Sequence, residues 1–249
     1  MGPASLISTL QERRQAFHPV VPFDPGRDKL YPFDFTDDNK DLSPEQIADT
    51  ESFAAYINNI LKLHHCKYGF GGYGEHRTLY ARSKHFDQSL ASGTGSEAAR
   101  TIEEKDEPRR FHLGIDIWGP AGTKVMAPLE GIIHSFAFNN NDSDYGATLI
   151  LTHNLDGYSF HTLYGHLSLN SLKNLHEGKR IREGDVIGEF GMRFENGNWP
   201  PHLHFQVIRD MQGWKGDYPG VCKYSERQQW LDNCPDPDGI LQMKQYIQE

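Results

Sequence analysis

Apolar and polar positions follow a helical period mainly in the first part of the chain and alternate in short runs over most of the rest. Over 49–63, Phe53, Ile57, Ile60 and Leu61 recur at helical spacing, the stripe of a helix with one face against a core. Just ahead, Ser43-Pro44-Glu45-Gln46 has the form of a helix start, with Ser as N-cap, Pro at the first position and an acid in the first turn. Residues 8–17 read as a short opening helix and 34–41 as an extended segment. From Arg109 onward the texture changes. Short β-favouring runs at 124–127, 131–138, 147–153, 158–165, 186–190 and 204–209 are separated by Gly, Asn and Asp, and Asp156-Gly157 is a hairpin turn between two of them. Helical patterning returns only at 225–231. Short strands with regular turn signals predict a mainly β fold, an antiparallel sandwich or barrel, and no internal repeat is present.

This pattern divides the chain into a partly helical N-terminal extension (1–108), a β core (109–213) and a C-terminal extension with a short helix (214–249). The glycine-rich stretch 69–74 lacks the strand, helix and Lys-Ser/Thr context of a phosphate loop and reads as a turn, with Tyr73, Glu75, His76 and Arg77 as polar groups near enough to reach a site. Residues 91–107 read as a mobile surface loop.

Composition narrows the function. With 249 residues, 37% hydrophobic and 12% aromatic, the chain can bury a core. A net charge of −9 gives no electrostatic footprint for nucleic acid or an anionic membrane surface. No apolar run reaches the ~20 residues that span a bilayer, and Glu12, Arg13, Arg14 and Gln15 stand where a secretory h-region would lie; the expectation is a soluble, cytoplasmic protein. Three cysteines make no disulfide framework, and pairing of Cys222 with Cys234 is left open.

The chemistry concentrates in three stretches: His112-Leu113-Gly114-Ile115-Asp116, Tyr164-Gly165-His166-Leu167 and Pro201-His202-Leu203-His204-Phe205. Alternate residues of a strand share a face, so His202 and His204 point into one site, and on an extended segment His112 and Asp116 can converge in the same way. His112, Asp116 and His204 then offer two nitrogen ligands and one oxygen, the three-ligand open arrangement of catalytic zinc; magnesium and calcium favour all-oxygen shells. His166 and His202 are left over. Zinc activates water near neutral pH, and two imidazoles beside it can move protons and stabilise an oxyanion. The reaction class that uses all five residues is metal-assisted amide hydrolysis.

His112-x-x-x-Asp116, the Tyr-x-His-Leu run at His166 and His202-x-His204, in this order, resemble the signature of the lysostaphin/LytM-type zinc metallopeptidases, peptidoglycan endopeptidases. Val125-x-Ala127-Pro128, Gly131-x-Ile133 and Gly184-Asp185-x-Ile187-Gly188 match as well, so the likeness covers about 109–209. It implies one Zn2+ per chain on His112, Asp116 and His204, with His166 and His202 as catalytic histidines. It also implies a two-sheet antiparallel β-sandwich with the site in a groove, and a peptide or peptidoglycan-fragment substrate. The runs at 71–75, 80–83, 109–119 and 199–206 resemble one subgroup, whose domain lies between phosphotransferase and class III aminotransferase domains in longer chains. Two features depart from the family: no export signal is visible, and the tyrosine that several members carry shortly before the first zinc histidine is absent. Arg109 or Tyr73 is the candidate for its place.

Trp199, beside Pro200-Pro201, is the best aromatic candidate for a substrate contact, and Arg109 could bind a substrate carboxylate with both guanidinium arms. His134, His153, His161 and His176 read as structural or solvent-facing, and His64-His65 as surface residues; by strand parity His161 faces away from His166. Two other functions compete with a peptidoglycan hydrolase: a cytoplasmic zinc hydrolase of a small amide or peptide metabolite, and a catalytically silent binding module. The presence of all five residues ranks the silent module last.

Overall fold

The computed structural model describes residues 5–87 and 107–247, so the loop expected at 91–107 lies, apart from Glu107, outside the described residues. The helices are α1 (Leu6–Glu12), α2 (Pro44–Ala48), α3 (Thr50–Leu63), α4 (Arg227–Asn233) and α5 (Asp238–Leu241). The strands are β1 (Leu30–Pro32), β2 (Tyr68–Gly71), β3 (Arg109–His112), β4 (Ile115–Trp118), β5 (Lys124–Met126), β6 (Gly131–Asn139), β7 (Gly146–Leu155), β8 (Tyr158–Leu167), β9 (Arg180–Ile181), β10 (Val186–Glu189), β11 (His202–Ile208) and β12 (Val221–Lys223).

The fold is mainly β. One eight-stranded sheet runs in the order β1-β2-β4-β11-β8-β7-β6-β9, antiparallel except where β1 lies parallel to β2, and β5–β10 and β3–β12 form two small sheets. Period-two alternation explains how the large sheet is covered on both faces. Ile115, Ile117, Leu203, Phe205 and Val207 turn one way, into a core shared with Val125, Ile187, Val21 and Ile240. On the other face Leu163 and Ile208 pack with Phe111, Leu113 and Cys222 of the β3–β12 region. The hairpin between β7 and β8 closes on Asp156 and Gly157, both with positive φ (51° and 89°), with Leu155 opposite Tyr158. Positive φ at both loop positions matches the twist of the flanking strands.

The helical part of the extension follows its local chemistry. Ser43 and Gln46 form a reciprocal capping box at α2, and the Asp49 carboxylate accepts from the Ser52 N–H at the start of α3. α3 buries Phe53, Ile57 and Leu61 in a cluster that also contains Phe35 and Trp118, so it braces the strand that carries Asp116.

Two local expectations are corrected. Tyr68–Gly71 is a strand between β1 and β4 rather than a turn, and the chain turns only at Gly72–Gly74. Glycine is needed at Gly69 because a Cβ there would stand 2.2 Å from the Phe33 ring. The extended piece is Leu30–Pro32 rather than 34–41; from Asp34 on, side chains hold turns, as where the Asp34 carboxylate accepts from the Thr36 N–H at 2.8 Å.

Candidate metal and catalytic centre

Register builds the site. β11 lies between β4 and β8, with His204 opposite Asp116 and His202 opposite Trp118 on one side, and His204 opposite Gly165 on the other. Asp116, Trp118, His202 and His204 therefore share the face opposite the main core. His112 does not join them along a common strand. It ends β3, in the small sheet with β12, and Leu113-Gly114 carries the chain over to β4. The two donors converge because the chain changes sheets between them, not because they are four apart in one strand.

The donor atoms close up tightly. His112 Nε2 lies 2.9 Å from His204 Nδ1, and Asp116 Oδ1 lies 3.4 Å from the first and 3.2 Å from the second. These three residues form a group that could hold a metal ion. Each imidazole has its outer nitrogen committed: His112 Nδ1 donates to Gly72 O at 3.0 Å and His204 Nε2 to Gln206 Oε1 at 2.9 Å. Such outer contacts set the tautomer that leaves the inner lone pair free. Burial, reinforced by Arg77, pushes His112 down to about 3, so it is neutral at physiological pH. Burial opposes ionisation of Asp116, but the Arg77 guanidinium beside it outweighs burial and holds the carboxyl well below its ordinary range. Two imidazoles and one carboxylate are the donor chemistry that zinc takes.

His166 arrives by a backbone irregularity. The β7–β8 register passes from Ala147–Leu167 to Leu149–Tyr164, so β8 carries an extra residue, and His166 itself has φ 63°. Such bulges re-aim side chains beside functional sites. The parity expectation fails here. Tyr164 packs against Phe205 in the main core, whereas Leu163, and with it His161, lies on the site's face; the bulge turns His166 over to join them. His161 is at the far end of the strand, with its ring 5.1 Å from that of His134. The rings of His166 and His202 lie 4.1 Å apart. Each is anchored through Nδ1 to a carbonyl, Asn196 O and Pro200 O, at 2.8 Å, and His202 stacks on Trp118 at 3.9 Å. Among the described residues neither Nε2 has a hydrogen-bonding partner. Burial lowers both, His202 to about 4.

Asp116, Trp118, His166, His202 and His204 line a cavity of about 290 Å³. Trp199 and Arg109 belong to its wall, together with Tyr80, Phe86 and Tyr145. The Arg109 guanidinium also donates to His85 O at 2.6 Å. Tyr73 is placed elsewhere: it is not among the lining residues, and its hydroxyl donates to Cys234 O at 2.7 Å. Cys222 and Cys234 are free thiols. His64 and His65 are exposed at the end of α3, and no helix among the described residues is long and apolar enough to cross a membrane.

Comparison with known proteins now bears on this arrangement. Residues 110–216 match Peptidase family M23. The matched stretch contains His112, Asp116, His166, His202 and His204. The peptidoglycan DD-endopeptidase ShyC of Vibrio cholerae is 25% identical over 118 residues, 44% of this chain; the match spans a quarter (25%) of that relative. The catalytic domain of lysostaphin from Staphylococcus simulans is similar at 22% identity and a TM-score of 0.38, over 71% of this chain and 96% of that one. A zinc-containing peptidase from Vibrio cholerae is similar at 24% identity and a TM-score of 0.32, over 50% of this chain and 34% of that one.

Four residues at this site escaped the sequence reading or were only loosely flagged by it. Gln206 continues the alternation of His202 and His204 and was legible from that spacing alone. Tyr145, whose hydroxyl lies 3.3 Å from His204 Nε2, carries no signal in its neighbours. Asn196, fully buried, offers its carbonyl to His166 while its side chain holds the backbone of Trp199. Arg77, from outside the matched stretch, forms an ion pair with Asp116.

Proposed function

We propose that this chain is a zinc-dependent peptidase that hydrolyses an amide bond in peptidoglycan or a peptidoglycan-derived peptide. The observation that carries the reading is the meeting of three donor atoms, 2.9–3.4 Å apart, beside two imidazoles that each keep Nε2 free on the wall of the same cavity. His112, Asp116 and His204 are the zinc ligands. Zinc bound there supplies Lewis-acid polarisation of the scissile carbonyl and activation of water. His166 and His202 are the catalytic histidines: with Nδ1–H fixed on a carbonyl, each presents an unprotonated Nε2 that can take a proton from the attacking water and return one to the leaving amine. Tyr145, kept protonated by burial well above its ordinary range, donates to the oxyanion that develops on the substrate; it takes the part first sought at Arg109 or Tyr73. Trp199 and Arg109 contact the substrate. The peptidoglycan assignment rests on membership of the M23 domain and on the activity named for ShyC.

A second substrate class, a soluble amide or short peptide, is favoured by one feature. Leu79, Tyr80, His85 and Phe86, all N-terminal to the M23 stretch, supply part of the cavity lining, so the 1–108 extension limits access to the 109–213 core. One experiment ranks the two classes. Purified protein is analysed for zinc and incubated with intact sacculi, with soluble muropeptides and with short peptides unrelated to peptidoglycan, beside His204→Ala and His202→Ala. One zinc per chain, lost in His204→Ala, with products absent in both variants, supports hydrolysis; cleavage of short peptides unrelated to peptidoglycan, with sacculi and muropeptides left intact, selects the second class. Wild-type protein that takes up no zinc at neutral pH overturns the reading.

A further inference from the structure

Arg77 is an expensive residue to place where it is. Its side chain is 1% exposed, yet it carries a full charge. Nη1 donates to Asp116 Oδ2, Nε donates to Glu75 Oε2 at 2.9 Å, and Nη2 is buried with no hydrogen-bond partner among the described residues. The backbone is pinned as well, with the Arg77 N–H on Arg110 O at 2.8 Å and the guanidinium 5.3 Å from the Phe35 ring. Room for it exists only because position 72 is glycine: a Cβ there would stand 1.9 Å from Nη2. Buried ion pairs stabilise a fold little relative to apolar residues of the same size, so stability alone does not account for the arrangement.

We propose that Arg77 is a positioning residue for the metal centre. By holding Oδ2 of Asp116, it leaves only Oδ1 turned toward His112 Nε2 and His204 Nδ1. A carboxylate free to offer both oxygens can take up an extra coordination position, the one an open catalytic zinc site keeps for water or substrate. Glu75 aims the guanidinium through its second edge, and the planar fork reaches both carboxylates at once, which a lysine ammonium does not. The inference rests on the zinc reading above and deepens it: a residue of the N-terminal extension, outside the M23 stretch, completes the metal site.

The test uses the full chain with Arg77→Gln and Arg77→Lys, each checked for folding by circular dichroism. Zinc affinity is read by competition with a chromogenic chelator. Coordination is read from the visible absorption of the cobalt(II)-substituted protein, which is strong in four-coordinate sites and weak at higher coordination. In Arg77→Gln we expect zinc affinity to fall about 10- to 100-fold, the usual effect of losing an outer-shell partner, and the cobalt absorption to weaken; Arg77→Lys, which keeps the charge, falls less. If Arg77→Gln fails to fold, Glu75→Gln, on a quarter-exposed side chain, takes its place, with a smaller loss in the same direction. Folded variants that bind zinc as tightly as wild type with an unchanged cobalt spectrum overturn the proposal and leave a structural ion pair. Wild type that binds no zinc overturns the metallopeptidase reading itself, and the inference with it.

Discussion

The two faces of the large sheet each hold buried histidines, and they are built to opposite ends. On the core face, His153 stands opposite Phe160 and has both ring nitrogens engaged, Nδ1 on Glu130 O at 2.8 Å and Nε2 with Thr162 Oγ1 at 2.7 Å. On the site face, His166 and His202 are just as buried, but each engages only Nδ1. Burial lowers all three, His153 and His202 alike to about 4. Neither burial nor a depressed pKa therefore separates a working imidazole from a structural one. Under the proposed function the unengaged nitrogen does, because proton transfer needs a lone pair that the fold has not already used.

The comparison can be broken most directly by mutating one histidine on each face. His202→Ala should lower kcat/KM on a muropeptide by about 10²–10⁴ with zinc content unchanged, whereas His153→Gln should leave kcat/KM near wild type. Equal losses of activity would erase the distinction. Tyr145→Phe removes one hydrogen-bond donor from the site face and should lower kcat by about 10²–10³ with KM little changed; a rise in KM alone would make it a binding residue. Gln206→Leu takes the acceptor from His204 Nε2 and should weaken zinc binding by about tenfold or more, measured by chelator competition.

The smallest effect concerns the core face. His153→Gln should cost about 1–3 kcal/mol in urea unfolding at pH 7, the cost of unsatisfied buried partners. The same residue shapes the pH dependence. Its folded pKa of about 4 lies below the unfolded 6.5, so between these values the unfolded chain binds more protons and stability falls as pH falls. Titration of unfolding from pH 7 to 4 should show a shallower decline in His153→Gln than in wild type. Identical slopes would mean that other groups dominate the acid limb.

Much of this architecture was legible in local sequence. The N-cap at Ser43, the apolar stripe of α3 and the Asp156-Gly157 hairpin depend on neighbours a few residues apart, and they appear where those neighbours predicted. The pleat let His202 and His204 be assigned to one face. It failed for His166, because a bulge adds one residue to β8 and inverts parity beyond it. Glycine content misled at Tyr68–Gly71, where glycines serve close packing within a strand instead of a turn.

The sequence by itself determined the kinds of candidate site residue and their order, His112, Asp116, His166, His202 and His204, together with the mainly β character, since both rest on residue type and short-range period. Tertiary structure alone decided which atoms meet. It brought His112 in from a second sheet, set Tyr145 beside His204, and buried Arg77 against a carboxylate 39 positions away. The physical reason is that such contacts are fixed by how sheets stack and where a strand bulges, and they join residues whose separation along the chain leaves no local pattern to read.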